Sequence, residues 1–456
     1  MPAPTWGQRR PPGSDNGDIA HVPTPAATLP GLPFGLEWRL LLIPLITGVI
    51  GYLTNWVAIQ LLFRPIDYVG VRVPGMKELA PAFPRKLKQI PGVVEGRVGW
   101  QGIIPSRSAR MGTIAAEKGI GKIATEREFY EEFDPERIAT HMVTNAEDEI
   151  RALTEETLRE AYPELWDGAP SAVRELIHTR VQERLPEIAE EITETIGENI
   201  GELLDINAMI TDHLDENPEL LNRLFLEVGD RELSFIVNSG FLIGGLLGCL
   251  TIPLFLAIDS PYVLPVAGIF VGYMTNWIAL KIIFLPIEER RLGPFRLQGL
   301  FIKRKPEVAE EYAGIVADEV VTIANVAENL LHGSQSDRTR KMVRESIRPE
   351  VDRAVGIAGP AIRLATGSEQ YEEVRETFVT ESVDRTIEPL QDPEFNEERS
   401  EAIRELITGR IRDLPPVDFV GLLRPAFVED EWMLILLGAV LGFAAGWIQL
   451  AVVTAA

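Results

Sequence analysis

The sequence predicts an all-α integral membrane protein with about four transmembrane helices, arranged as two parallel repeats that each carry a long acidic helical cytoplasmic domain. Three observations support this prediction. Four apolar runs are nearly free of charge, an eight-residue motif occurs in two of them, and the stretches between them are acidic with helical periodicity. About 20 apolar residues, rising 1.5 Å each, cross a hydrocarbon core of about 30 Å.

The four predicted spans divide the chain into its parts. Residues 1–37 are rich in Pro and Gly, so we expect a disordered arm, and they lack the layout of a removable signal peptide. The spans are predicted at 38–63, 235–258, 261–285 and 432–453. Residues 64–234 and 286–431 are predicted as two cytoplasmic helical domains.

The first of these domains contains a long apolar stripe at helical spacing, on a background of Glu, Arg and Thr. Its members are Ile177, Val181, Leu185, Ile188, Ile192, Ile196, Ile200 and Leu203. Such spacing is typical of a helix that buries one face. Pro186 either starts a new helix or kinks this one.

The repeated motif is Gly51-Tyr52-Leu53-Thr54-Asn55-Trp56-Val57-Ala58, and the second copy runs from Gly272 to Ala279. Prolines match on both sides of the two copies, and a Gln-Gly pair follows each one. The closing spans match through glycines spaced four apart: Gly240, Gly244 and Gly248 in one, and Gly438, Gly442 and Gly446 in the other. Two such halves in tandem predict a parallel repeat about an axis along the membrane normal.

Basic residues follow the first and third spans, whereas the link between the second and third spans carries only Asp259. These basic residues include Arg72, Lys77, Arg85, Lys86, Arg290, Arg291 and Arg296. Positive residues favour the cytoplasmic side, so both acidic segments are predicted to be cytoplasmic and both termini outside. The predicted location is the cell membrane, with several passes.

The small residues of the motif are candidates for helix packing. Gly51, Gly244 and Gly248 in the first half, and Gly272, Gly442 and Gly446 in the second, form stripes that let helix backbones approach closely in lipid.

Polar residues inside the spans have two interpretations. Thr54, Asn55, Thr275 and Asn276 either hydrogen-bond across helices or line a wet pathway. Trp56 and Trp277 suit either the interfacial aromatic belt or packing.

The basic clusters behind the spans are candidates for lipid head-group contact. They comprise Arg107, Arg110, Lys303, Arg304 and Lys305. The alternative is that they are only an ordinary topology signal, because cations near an anionic leaflet serve both purposes.

The sequence offers no catalytic constellation. Its five His residues show no metal-ligand spacing. Its single Cys is Cys249, which excludes a disulfide framework within the chain. The sequence also has no phosphate loop, nucleophile elbow or dinucleotide fingerprint. We therefore expect no enzyme activity, cofactor or metal. A net charge of −24 makes nucleic acid a poor partner.

The repeated motif, Phe63-Arg64-Pro65, the Gln-Gly-Ile-Ile-Pro string at 101–105 and the Gly-rich closing span give the chain a family likeness. It resembles the family catalogued as domain of unknown function number 445, whose members include uncharacterised multi-pass cell-membrane proteins of bacteria. The second copy departs from the pattern, with Leu285 in place of Arg64 and Ile302 in place of Pro105. The resemblance implies a membrane location and brings no activity with it.

Two functional hypotheses follow. The first is a non-enzymatic membrane scaffold or lipid-contacting envelope protein, whose partners are membrane lipids, a second copy of the chain or another envelope protein. The alternative is a small-solute transporter or channel that uses the Thr-Asn pairs. A lipid hydrolase is a weaker third hypothesis. The direction in which the Thr-Asn side chains point separates the first two.

Overall fold

The structure, a computed structural model, describes residues 38–72, 74, 77, 97–258, 260, 262–355, 367–385, 387–429 and 431–455. The predicted disordered arm at 1–37 lies outside these residues, as do Arg85 and Lys86 of the first basic loop. Helix dominates the described part of the chain.

The helices are numbered in chain order. They are α1 (Trp38–Phe63), α2 (Ser108–Ile114), α3 (Gly121–Ile123), α4 (Glu126–Glu132), α5 (Pro135–Ala161), α6 (Pro163–Gly168), α7 (Ser171–Leu203), α8 (Ile206–Glu216), α9 (Pro218–Val228), α10 (Asp230–Ala257), α11 (Val263–Phe284), α12 (Leu300–Lys303), α13 (Lys305–Ile315), α14 (Ile323–His332), α15 (Ser336–Val355), α16 (Ser368–Arg385), α17 (Pro393–Asp413), α18 (Pro416–Glu429) and α19 (Glu431–Ala455). The stretches Ala115–Ile120 and Val316–Val320 are π-helical, and Pro105–Arg107 and Glu388–Gln391 are 3₁₀-helical.

Four of the helices, α1, α10, α11 and α19, are long and apolar enough to cross a membrane, which confirms the predicted helical fold class with about four spans. The candidate spans within them are Leu42–Phe63, Asp230–Leu254, Val263–Phe284 and Glu431–Val452. Helix α10 begins before the predicted residue 235. Its first turn is polar and contains Glu232, which pairs with Arg304 of the second extramembrane segment.

Two short antiparallel hairpins accompany the helices, and the sequence analysis did not predict them. Strand β1 (Val69–Arg72) pairs with β2 (Arg97–Trp100), and β3 (Arg290–Leu292) pairs with β4 (Phe295–Leu297). Strands of three or four residues give almost no alternation to detect. Between β3 and β4, Gly293 has a φ of 62°, the left-handed conformation that tight hairpin turns need.

The four spans form a bundle of two closely packed pairs. Helix α1 lies along α10, and α11 lies along α19, each over much of its length. Contacts of α10 with α11 and of α1 with α19 join the two pairs.

The segments between the spans pack into one helical body with a shared core, although the sequence presents them as two domains. Helix α5 of the first segment contacts α16 of the second, and α7 contacts α15. The His141 ring stacks on Phe395 with centroids 3.8 Å apart, and Arg399 Nη2 donates to the Glu132 carbonyl at 3.2 Å. A continuous buried cluster runs through both segments.

This shared core predicts how a divided chain behaves. If the gene is split between the second and third spans and both pieces are co-expressed, we expect them to copurify in mild detergent, because burial of apolar surface across the segments holds them together. Affinity capture of one tagged piece measures this. Placing Asp at the fully buried Ile403 should weaken the association, since it puts a charge into that core. Pieces that separate without this substitution would contradict the shared core.

Candidate functional site

The first helix crossing brings the backbones of α1 and α10 into contact. A Cβ atom added to Gly51 would overlap the Gly240 carbonyl oxygen, and one added to Gly240 would overlap the Gly51 carbonyl oxygen. Any side chain larger than hydrogen would push the helices apart. The crossing therefore belongs to the small-residue class of membrane helix packing.

Two further glycines of α10 extend this contact along α1. A Cβ on Gly244 would lie 2.8 Å from the Thr47 carbonyl oxygen, and one on Gly248 would lie 2.8 Å from Pro44 Cα. All three matched glycines of α10 therefore face the partner helix.

The second crossing, between α11 and α19, uses the equivalent contacts. A Cβ on Gly272 would overlap the Gly438 carbonyl, and one on Gly442 would overlap the Gly268 carbonyl. A Cβ on Gly446 would lie 2.6 Å from Pro265 Cα. The two pairs of spans are thus closed in the same way.

An asparagine side chain bridges each crossing. Asn55 Nδ2 donates to the Ile236 carbonyl at 2.7 Å, and Asn276 Nδ2 donates to the Leu434 carbonyl at 2.8 Å. Both asparagines have no exposed surface. In hydrocarbon such a bond to a neighbouring helix is worth about 1 kcal/mol.

The neighbouring threonines bond within their own helices. Thr54 Oγ1 donates to the Gly51 carbonyl at 3.1 Å, and Thr275 Oγ1 donates to the Gly272 carbonyl at 3.2 Å. The Thr-Asn pairs of both motif copies therefore lie in the packed seams, not on a lipid-facing surface.

The centre of the bundle contains a void of about 10 Å³ that Thr54 and Gln449 help to line. Gln449 Nε2 donates to Thr47 Oγ1 at 3.1 Å beside it. A void of this size holds about one water molecule.

The two motif tryptophans point outward. Trp56 is 46% exposed and Trp277 is 38% exposed, on the outer face of the bundle. Arg64 is exposed where α1 ends. These three side chains therefore face the surroundings of the bundle.

Each Gln-Gly pair forms hydrogen bonds with residues just after the end of a span. Gln101 Nε2 donates to the Ile66 carbonyl at 2.7 Å, and the Gly102 amide donates to the Pro65 carbonyl at 2.8 Å. Gln298 and Gly299 make the same bonds to Ile287 and Pro286, at 3.3 and 3.0 Å. Each hairpin is thereby held beside the end of its span.

The first hairpin combines exposed apolar and basic side chains. Val69, Val71 and Val98 are all more than half exposed, and Arg72 is exposed beside them. The second hairpin exposes Leu297 together with arginines. The sequence predicted the arginines only as basic residues that follow the spans, and it did not predict the hairpins or their exposed valines. The Gly-Pro pair at 293–294 is the sequence signal for the turn of the second hairpin.

The five basic residues predicted to contact head groups have different surroundings. The side chain of Arg304 is only 12% exposed and pairs with Glu232 at 2.7 Å, Glu307 at 3.1 Å and Glu311 at 3.3 Å. A guanidinium held by three carboxylates inside the protein does not fit a lipid-contact role.

The remaining four basic residues are more accessible or serve local structure. Lys305 Nζ donates to the carbonyls of Arg412 and Leu414 at the end of α17, at 2.6 and 2.5 Å, where a cation stabilises a helix C-terminus. Lys303 and Arg110 are exposed, and Arg107 is half-buried.

The extramembrane body contains a large, partly open apolar cavity that the sequence did not predict. It has a volume of about 420 Å³ and lies between α5, α7, α15 and α16. Its lining includes Ile177, Val181, Leu185 and Ile188 from the apolar stripe of α7, all only half-buried. The stripe resembles ordinary core in the sequence, and only the three-dimensional arrangement separates its cavity-facing half from its packed half.

Titratable groups also line this cavity. Burial and the neighbouring carboxylate of Glu388 raise the pKa of Glu149, whereas Arg385 lowers it. Among the residues that the structure describes, no three His, Cys, Asp or Glu side chains gather in a way that could hold a metal ion.

Together, the bundle and the helical body define a helical membrane protein with four candidate spans. The chain is distantly similar, over about a third of its length, to UPF0754 membrane proteins. It is 28% identical over 160 residues to one from Halalkalibacterium halodurans and 29% identical over 163 residues to one from Geobacillus kaustophilus, covering 33% and 32% of this chain.

These matches span 41% and 43% of the two relatives' own lengths, so the chain covers less than half of each. A UPF0754 membrane protein from Synechococcus is 31% identical over 95 residues, which is 20% of this chain and 23% of that protein. No family model matches the chain, and no solved structure matches it.

We expect alanine substitutions at two glycines of α10 to differ in their effect on stability. Gly240→Ala should destabilise the protein by about 1–3 kcal/mol, because the new methyl group overlaps the α1 backbone. Gly245→Ala on the same helix is the matched control, since its Cβ would meet only Pro44 O at 3.5 Å, and it should be neutral or stabilising by up to about 1 kcal/mol. Unfolding in detergent measures both. Equal effects would show that α1 and α10 do not touch at Gly240.

We expect the stability of the protein to depend on pH through the carboxyl group of Glu149. Its folded-state pKa is raised, so the folded chain binds this proton more tightly than the unfolded chain. Its contribution to the free energy of unfolding is therefore present below the unfolded pKa of about 4.3 and is lost as pH rises through the folded value. Glu149→Gln, which cannot ionise, should gain stability relative to the parent between pH 4 and pH 7. A difference between the two proteins that does not change with pH would contradict this assignment.

Proposed function

We propose that the protein is a non-enzymatic membrane scaffold that contacts lipid and holds one large helical body against the cytoplasmic face of the cell membrane. The observation that carries the proposal is the pair of closed crossings. Both use backbone contact and a buried asparagine, so the bundle is built as a rigid support.

The hairpins supply the proposed lipid contact. Each begins within a few residues of the end of a span, and each is tied to that end by a Gln-Gly pair. Exposed valines beside arginines suit the boundary between acyl chains and anionic head groups, where apolar and cationic side chains both gain free energy. This assigns lipid contact to the hairpins and not to Arg304.

The cytoplasmic orientation and the internal duplication belong to this proposal. The arginines of both hairpins follow the first and third spans, which supports the cytoplasmic side by the positive-inside rule. The matched contacts of Asn55 and Asn276, and of Gln101 and Gln298, support two parallel repeats and a place in the family of domain of unknown function number 445.

The geometry supports the transporter alternative less well. A transport pathway needs polar groups that face a wet cavity, whereas Asn55 and Asn276 bond to carbonyls in packed seams. The central void of about 10 Å³ has room for about one water molecule, which is too little for a solute.

A spin-label experiment tests the lipid contact. In a Cys249→Ser background, single cysteines at Val71 and Leu297 report on the hairpins, and one at the exposed Lys341 of α15 is the control. In liposomes with anionic lipid, we expect the hairpin labels to be more accessible to oxygen than to a water-soluble nickel chelate, and the control label to show the reverse. Hairpin labels that behave like the control would overturn the proposal. A membrane-impermeant thiol reagent applied from each side tests the orientation on the same variants.

A further inference from the structure

We infer that the 420 Å³ cavity of the extramembrane body is a binding site for a single long acyl chain that ends in an anionic group. The inference rests on the lining, the unpartnered polar atoms and the charge at this cavity. It does not depend on the scaffold proposal.

The size and lining of the cavity fit an acyl chain. Ligand sites in proteins are typically about 300–1,000 Å³ and mostly apolar, with a few placed polar groups. The lining here is dominated by aliphatic and aromatic side chains. Val173 and Leu176, which also line it, are 45% and 56% exposed, so apolar surface continues to the outside.

The half-buried stripe of α7 is the second observation. Ile200 and Leu203 are buried in the shared core, whereas Val181 and Leu185 face the cavity and keep some exposed surface. An apolar stripe that continues past the packed core gains stability only when something apolar covers it. A chain of methylene groups supplies that cover, at about 0.8 kcal/mol for each buried group.

Buried polar atoms around the cavity lack protein partners. Thr157 Oγ1 and Tyr162 Oη line it without a hydrogen-bond partner among the described residues, and both hydroxyls can donate to an anionic group. Glu350 Oε2 is an acceptor without a hydrogen bond, and Arg184 Nη1 lies 3.9 Å from it. Thr157 is 6% exposed and Glu350 is 2% exposed. Buried polar groups are normally bonded, so these atoms point to a polar end on the bound molecule.

The charge at the cavity favours an anion. Four arginines and two glutamates line it, and burial and Glu388 favour the neutral form of Glu149. Arg375 is held by Asp352, and Arg385 by Glu156. Arg180 is exposed and makes no ion pair within the described part of the chain, which leaves its guanidinium for a carboxylate or phosphate.

The described residues that line the cavity include none from the four candidate spans. Val181 is about 33 Å along α7 from its C-terminal end, after which α8 and α9 lead into the span α10. A bound acyl chain would therefore lie among the extramembrane helices and not between the spans.

Photolabelling of the full chain in membranes tests the inference. Two probes carry a diazirine in the acyl chain, a fatty acid and a phosphatidic acid, and a diazirine fatty alcohol is the neutral comparison. We expect adducts on peptides of α7 and α16 from at least one anionic probe. Which of the two reacts distinguishes a free fatty acid from a phospholipid. Adducts confined to the four spans, or equal labelling by the alcohol, would overturn the inference.

Two variants connect the adducts to the cavity. Val181→Trp fills the space and Arg180→Glu reverses the charge of an exposed lining residue, and each should lower cavity labelling by about tenfold. Leu242→Trp on the exposed face of α10 and Lys341→Glu on α15 are the controls matched in volume and charge, and should leave cavity labelling unchanged. If Val181→Trp does not fold, the cavity labelling of Arg180→Glu, a substitution at an exposed residue, tests the site. Unchanged cavity labelling in a folded variant contradicts the site.

Discussion

Backbone contact between glycines at the two helix crossings is the constraint on which the rest of the structure depends. Lipid tails are as apolar as leucine, so burial of apolar surface does not drive helices together inside a bilayer. The interactions that can hold helices together there are close van der Waals contact and hydrogen bonds between helices. Gly51 with Gly240, and Gly272 with Gly438, provide the contact, and the buried asparagines provide the hydrogen bonds. Larger residues at the glycine positions would separate the helices and so remove the backbone contact and the asparagine hydrogen bonds together.

The extramembrane body follows a different principle, because water surrounds it. Its core joins two segments that are far apart in the chain, and ion pairs such as Arg304 with Glu232 connect that body to the first turn of a span. Side chains of Arg304 and Glu232 are both nearly buried, so breaking the pair would leave a poorly solvated charge. The acidic character of the segments is thus partly structural.

Much of the membrane part was predictable from the sequence. Apolar length gave the four spans, and the glycines spaced four apart indicated which faces meet. The hairpins were not predictable by alternation, because their strands contain only three or four residues. The shared core and the cavity were also missed. Periodicity places Val181 and Leu203 in one apolar stripe of α7, but which partner helices cover each residue depends on contacts between distant segments.

The roles of the basic residues also could not be predicted from the sequence alone. Arg304 and Lys303 are neighbours in the sequence, yet one is held by three carboxylates and the other is exposed. Charge and position after a span predicted the same role for both. The position of Arg304 beside Glu232, at the start of α10, separates them, and no local pattern encodes that contact.

The separation of α1 from α10 in a density map of the full chain in a lipid nanodisc tests the central claim most directly. Helices that pack through larger side chains lie about 8–10 Å apart. We expect the helix axes to lie closer than this at Gly51 and Gly240, and also at Gly272 and Gly438, because backbone meets backbone at both crossings. Separations of 8 Å or more at these glycines, or a water-filled gap between the helices, would contradict it.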